Sequence, residues 1–144
     1  MQIACATKKD LSAIFELESS LFGGHAYPRF FFRQAYDCWR QGLLVARAND
    51  TIMGYVLVVN SDEPGVVWVL SLAVDTHYRG QGIARQLMIH AISSLPANIT
   101  IKLTVDPANV AALALYESLG FYVVAKGVNY FGDEEIRVVM VLKR

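Results

Sequence analysis

The stretch Arg79-Gly80-Gln81-Gly82-Ile83-Ala84 constrains this chain more than any other, because it lies between an apolar run, Val66 to Val74, and a strongly amphipathic segment. Leu87, Met88, Ala91, Ile92 and Leu95 continue a spacing begun at Ile83, so one face of a helix packs inward. The order is strand, glycine turn, helix. The first amides of such a helix have no partners within it. Gly80 and Gly82 carry no side chain and Ala84 only a methyl, so a ligand can come close to the backbone. Those amides and the helix dipole favour an anion such as a pyrophosphate. An ordinary tight strand-to-helix turn would use the same residues, and on the hexapeptide alone both readings stand.

A length of 144 residues with 54% hydrophobic content fits one domain, spanning 1–144, with a real core. Thirteen basic residues balance thirteen acidic ones, so no global field points to nucleic acid or to an anionic membrane. The start, Met1-Gln2-Ile3-Ala4-Cys5-Ala6 followed by Lys8, Lys9 and Asp10, does not read as a signal peptide, and the apolar stretches fall short of a membrane span. A soluble, cytoplasmic protein is expected. Cys5 and Cys38 stand in no metal or redox spacing, and no grouping of histidines or carboxylates points to a metal.

Along the chain, Gln2 to Ala6 reads as a first strand, and Thr7 with Asp10 as a capping box. Leu11, Ile14, Phe15, Leu21 and Phe22 form the inward stripe of a first helix, ended by Gly23-Gly24. Pro28 suits the start of a second, whose stripe of Phe31, Phe32, Ala35, Tyr36 and Trp39 extends to Gly42. Leu43 to Ala48 and Ile52 to Val59 are strands joined by the turn residues Asn49-Asp50-Thr51. The second half alternates: strand Val66 to Val74, helix Gly82 to Leu95, strand Ile99 to Val105, helix Asn109 to Leu119 ended by Gly120, then strands near Phe121 to Lys126 and Ile136 to Leu142. Strand, helix, strand in one sheet implies a parallel crossover, so early hairpins joined to a parallel pair predict a mixed α/β sheet with helices on both faces. The Ile136 to Leu142 strand reads as an edge able to pair between subunits in a homodimer.

Three nucleotide-type readings compete for the glycine turn. A P-loop needs a second Gly five positions after its first and then Lys and Ser or Thr, and from Gly80 this chain has Arg85 there, followed by Gln86 and Leu87. A dinucleotide turn needs a third Gly or Ala at that same place, although Asp106 lies about where a ribose-binding acid belongs. Coenzyme A is the third, its diphosphate at the helix start and its arm along a strand edge.

Val74-Asp75-Thr76-His77-Tyr78-Arg79-Gly80-Gln81-Gly82-Ile83-Ala84 resembles the acetyl-CoA signature of the GNAT N-acetyltransferase superfamily. Asn109-Val110-Ala111-Ala112-Leu113-Ala114-Leu115-Tyr116-Glu117-Ser118-Leu119-Gly120-Phe121 is similar to its other hallmark, and the element order resembles that fold from end to end. The resemblance implies an α+β architecture: a mixed, mostly antiparallel sheet of about seven strands, a splayed parallel central pair and four helices. It implies acetyl-CoA as acetyl donor, no metal, and direct attack by a primary amine. Leu72, Ala73 and Val74 would hydrogen-bond the pantetheine arm, as would Asn109; Arg79, Gly80, Gln81, Gly82, Ile83, Ala84 and Arg85 would hold the diphosphate; Tyr116 would protonate the leaving thiolate.

Leu115 to Phe121, Asn129-Tyr130-Phe131 and Val139-Met140 look most like the bacterial ribosomal-protein alanine N-acetyltransferase branch. In that branch a Glu on the fifth strand serves as base, and the matching position here is Thr104, which cannot. Glu63, Asp106 or Glu135 acting through water would have to replace it, or the acceptor differs. His25, Tyr27, Arg29 and Tyr130 are the candidate acceptor contacts. The acceptor is a protein N-terminus or a small amine such as a polyamine, amino acid or aminoglycoside; a non-catalytic module that binds coenzyme A is the alternative from another class.

Overall fold

A computed structural model describes residues 1–132 and 134–144. The strands are β1 (Gln2–Cys5), β2 (Leu43–Ala48), β3 (Thr51–Asn60), β4 (Val66–Val74), β5 (Thr100–Val105), β6 (Tyr122–Gly127) and β7 (Arg137–Lys143). The α-helices are α1 (Leu11–Phe22), α2 (Arg29–Cys38), α3 (Ile83–Ser93) and α4 (Val110–Ser118). Hydrogen bonding orders the strands β1-β2-β3-β4-β5-β7-β6. β4 and β5 are parallel, whereas β1–β2, β2–β3, β5–β7 and β6–β7 are antiparallel. The mixed, mostly antiparallel sheet with one parallel pair is the one expected. Two compact units divide the chain, Met1–Val59 with Ser71–Leu95 and Asn60–Leu70 with Pro96–Arg144, so β4 belongs partly to each.

In the first unit β3 is buried without interruption from Met53 to Val59, as its unbroken apolar run requires of an interior strand. Ile14 of α1, Phe32 and Ala35 of α2, and Leu87 and Met88 of α3 are all fully buried. The capping box forms as read, but it closes a short 3₁₀ turn, Lys8–Asp10, that leads into α1. Asp10 accepts the Thr7 amide at 2.7 Å and a bidentate pair from Arg47 of β2 at 3.0 and 2.6 Å, which ties that turn to the sheet. The second helix stops four residues short of Gly42. Trp39 leaves helical geometry at φ −133°, ψ 43°, and Arg40–Gly42 continues as a 3₁₀ turn.

In the second unit β5 alternates, burying Ile101, Leu103 and Val105, and β7 buries Val138, Met140 and Val141. One expectation is corrected. The strand at the C-terminus is not an edge: β7 pairs with β5 from Val138 to Lys143 and with β6 from Arg137 to Val141, so both its sides are taken up by ladders and cannot add a partner strand. Among the described residues, no helix is long and apolar enough to cross a membrane.

Candidate functional site

The glycine turn is built by local chemistry. After β4, the Asp75 carboxylate accepts the His77 amide and its Nδ1, each at 2.9 Å, and closes a 3₁₀ turn over Thr76–Tyr78. Those bonds, the backbone one first, hold the Asp75 carboxyl below the usual carboxylate range. The chain then enters the left-handed region twice, at Gly80 (φ +79°) and Gly82 (φ +75°). Gly82 is the N-cap of α3; its carbonyl takes the first helical bond, from Gln86 at 3.0 Å, and it has no side chain to cap the first-turn amides. A Cβ built on either glycine would meet nothing within 4 Å beyond its own neighbours in the chain. Packing therefore leaves room for a side chain here, and the positive φ is what favours glycine. The result is an open, exposed helix start with main-chain donors and no bulk in front of it, which fits a diphosphate. Ile83 is buried and anchors the turn from below; Arg79, Gln81 and Arg85 are exposed around it.

Leu72, Ala73 and Val74 form the C-terminal end of β4, in the same unit as the turn. In the other unit, the parallel ladder runs from Val66–Thr100 to Trp68–Lys102, a short register for a nine-residue strand.

Tyr116 lies in the second unit, and the sequence around it fixes its place. Gly120 adopts φ +100° after α4; its amide bonds to the Glu117 carbonyl at 3.0 Å, and the Phe121 amide bonds to the Tyr116 carbonyl at 3.0 Å. Those paired bonds are a Schellman motif, whose accompanying apolar contact is the Tyr116–Phe121 ring pair at 5.8 Å and 62°. Tyr116 is the buried residue of α4, whose other positions are half-buried or exposed. Burial, partly offset by the positive charge of Arg137, pushes its phenol up to about 12. Arg137 pairs with Glu135 at 3.3 Å and lies 5.2 Å from the Phe131 ring centre; its Nε is buried with no hydrogen-bond partner among the described residues. Asn109 caps α4, its side chain accepting from the Ala112 amide at 3.1 Å.

The acceptor candidates separate. Tyr27, in the linker after α1, stacks on Phe31 at 4.1 Å and meets Phe32 edge-on. Arg29 turns toward α1, its guanidinium 4.4 Å over the Phe15 ring and near Ser12 and Glu16. His25 closes a 3₁₀ turn, Gly23–His25. Tyr130 is exposed in the β6–β7 connection, its ring edge-on to Phe131 and its amide bonded to the Glu135 carbonyl.

Among the candidate bases, Glu63 and Asp106 are exposed, with Asp106 accepting the Ala108 amide, and Glu135 is paired as described. Thr104 is half-buried on β5 opposite Val139. Sequence reasoning missed Glu18, a carboxylate only 2% exposed that takes three donors in the first unit. They are the Tyr55 hydroxyl at 2.5 Å, the Ser71 hydroxyl at 3.2 Å and the Tyr27 amide at 3.0 Å. Burial first, and the neighbouring Glu18 charge next, push the Tyr55 hydroxyl far above the usual phenol range. The signal was available: four residues after Ile14, a charge interrupts the apolar stripe of α1. No group of three or more His, Cys, Asp or Glu able to hold a metal ion occurs among the described residues.

A model of the acetyltransferase (GNAT) family matches residues 11–121. The chain is 30% identical over 132 residues to the N-alpha-acetyltransferase RimI of Mycobacterium tuberculosis, covering 90% of this chain and 83% of that protein. It is 32% identical over 135 residues to the ribosomal protein bS18-alanine N-acetyltransferase of Salmonella typhimurium, covering 90% and 86%. Among solved structures, the ribosomal-protein-S18-alanine N-acetyltransferase of Escherichia coli matches with a TM-score of 0.81 at 25% identity, over 99% of this chain and 92% of that one.

Proposed function

The chain belongs to the GNAT acetyltransferase family, and on that premise we propose that it carries an acetyl group from acetyl-CoA to the α-amine of a protein N-terminus by direct attack. One observation carries the reading of the donor: a helix start framed by two left-handed glycines, open in front and preceded by the end of β4. The amides from Gly80 to Arg85 hold the diphosphate there, with Arg79 and Arg85 adding charge. Main-chain groups of Leu72, Ala73 and Val74 take the amide-rich arm as an added strand would, a role that the short β4–β5 register supports; Asn109 contributes from the start of α4. An amide fixed at a developing oxyanion is worth about 3 kcal/mol of barrier, so backbone geometry supplies a large share of the rate.

Tyr116 steadies the leaving thiolate. A phenol raised to about 12 keeps its proton throughout neutral pH. Since thiols ionise near 8.5, complete transfer from so weak an acid is uphill, and the phenol works best as a hydrogen-bond donor to sulfur as charge builds there. The attacking amine must shed a proton, and with Thr104 at the position where the resembling branch has Glu, a side chain elsewhere or water takes it.

Two relatives at about 30% identity are named for N-terminal or ribosomal-protein acetylation, which supports a protein terminus as acceptor. Thr104, standing where the resembling branch has its Glu, supports a second reading, a small-molecule amine whose proton is taken by another group or by water. Incubation with acetyl-CoA and a peptide bearing a free N-terminal alanine separates the two. The first reading expects thiol release matched by acetyl on the peptide's α-amine; release with a small amine and none with any peptide overturns it.

A further inference from the structure

Glu18 is a buried acid for which neither the donor site nor the phenol has a use. Its two oxygens divide their partners by element. Oε2 accepts the amide of Tyr27, in the linker between α1 and α2. Oε1 accepts the hydroxyls of Tyr55 on β3 and Ser71 on β4, and those two hydroxyls are 2.7 Å apart. Three donors thus converge on two acceptor oxygens, the pattern that a buried carboxylate needs to offset its lost hydration. The surroundings make the arrangement rigid. Tyr55 is fully buried with its ring edge-on to Phe32 at 5.6 Å, and Phe32 in turn meets Tyr27. One side chain therefore ties a surface linker to the strand that leads into the glycine turn, three residues before Val74.

A leucine at this position would satisfy the apolar stripe of α1 without the cost of burying a charge. A carboxylate does what leucine cannot, which is to hold a loop amide at a fixed distance from β4. We propose that Glu18 is a positioning residue for the acceptor: it clamps the main chain at Tyr27 onto β3 and β4, so that the linker meets the incoming amine in one conformation. This rests on the transferase reading above and on Tyr27 as a contact of the acceptor. The clamp is built by Glu18 itself and the role does not require it to touch substrate.

The test uses the full chain, acetyl-CoA and a peptide with a free N-terminal alanine. Glu18→Gln keeps the shape and one acceptor oxygen but replaces a charge-assisted bond with a neutral one, which is expected to raise KM for the peptide about tenfold. KM for acetyl-CoA and kcat stay within about twofold. Ser71→Ala, which deletes one donor at a part-exposed position and should fold even if the Gln variant does not, moves peptide KM the same way by less. A fall in kcat at unchanged peptide KM would overturn the proposal in favour of a proton-transfer role for the carboxylate. Unchanged constants in both variants would overturn it too. Hydrogen exchange at the Tyr27 amide decides the clamp without any turnover: slow exchange in the wild type and faster exchange in either variant are expected, and equal rates contradict it. A wild type that acetylates no peptide sinks the protein-acceptor reading, while the exchange rates still report on Glu18.

Discussion

Substituting Gly82 by Ala and by Asn separates two things that a glycine supplies at a helix start, its backbone freedom and its emptiness. The residue sits at φ +75° with open space where a Cβ would go, so the added methyl of Ala meets no clash and the first atom of an Asn side chain meets none either. Alanine in the left-handed region costs roughly 1–2 kcal/mol, and asparagine less because its side chain tolerates that region. For a chain of this size each kcal/mol lowers Tm by about 3–4 °C, so Ala should cost about 3–8 °C and Asn less. Affinity for acetyl-CoA should fall in the opposite order. Each amide-to-phosphate bond that a side chain obstructs is worth about 1.5–3 kcal/mol, a loss of about 10- to 100-fold, and the longer Asn obstructs more than a methyl. Thermal melts without ligand and calorimetric titration with acetyl-CoA read the two effects independently. If Gly82→Asn binds as tightly as the wild type, the diphosphate does not sit at this helix start, and the reasoning fails.

Tyr116→Phe should lower kcat by roughly a hundredfold, the lower end for a positioned proton donor, with acetyl-CoA affinity nearly unchanged in the same titration. The same substitution has a signature in pH. A phenol moved from its ordinary value near 10 up to about 12 keeps its proton in the folded state while the unfolded chain ionises, so folding is weakened as pH rises across that window. The loss is roughly 2–3 kcal/mol by the top of the window, and denaturant melts at pH 10 and 12 should show a smaller drop in Tyr116→Phe. Asp10 behaves oppositely. Burial works against its charge but is outweighed by bonds from Arg47 and Thr7, which lower its carboxyl. Its stabilising effect is therefore present above the ordinary carboxylate range and lost on acidification below it. Asp10→Asn should destabilise the protein at pH 7 by about 1–3 kcal/mol and flatten stability between pH 5 and 2, as urea midpoints would show.

What was legible in the sequence is what local chemistry determines. The turn at Gly80 and Gly82 could be read because its geometry depends on those residues and on the apolar runs beside them, and the same holds for Gly120, which ends α4 in a turn whose Phe121 amide bonds to the Tyr116 carbonyl. The Asn49-Asp50 hairpin and the Thr7–Asp10 box are equally local. Long-range pairing was not legible. The last strand has the same apolar character whether it lies at an edge or inside a sheet, and only its ladder with β6 shows that it is interior. Glu18 escaped for a related reason: its partners Tyr55 and Ser71 are 37 and 53 residues away, and no spacing rule connects them. Tyr27 in the linker and Arg29 at the start of α2 are two residues apart, yet the Arg29 guanidinium turns onto the Phe15 ring of α1 and the Tyr27 ring meets the buried Phe32. Side-chain direction in a linker depends on what the rest of the chain offers it.

If main-chain donors at the start of α3 grip a diphosphate, amide chemical shifts will report it. On titration with coenzyme A, the amides of Gly80, Gly82, Ile83 and Ala84 should move strongly, and pantetheine, which has the arm without the diphosphate, should leave them in place. Equal shifts with both ligands, or no movement with coenzyme A, would contradict the account.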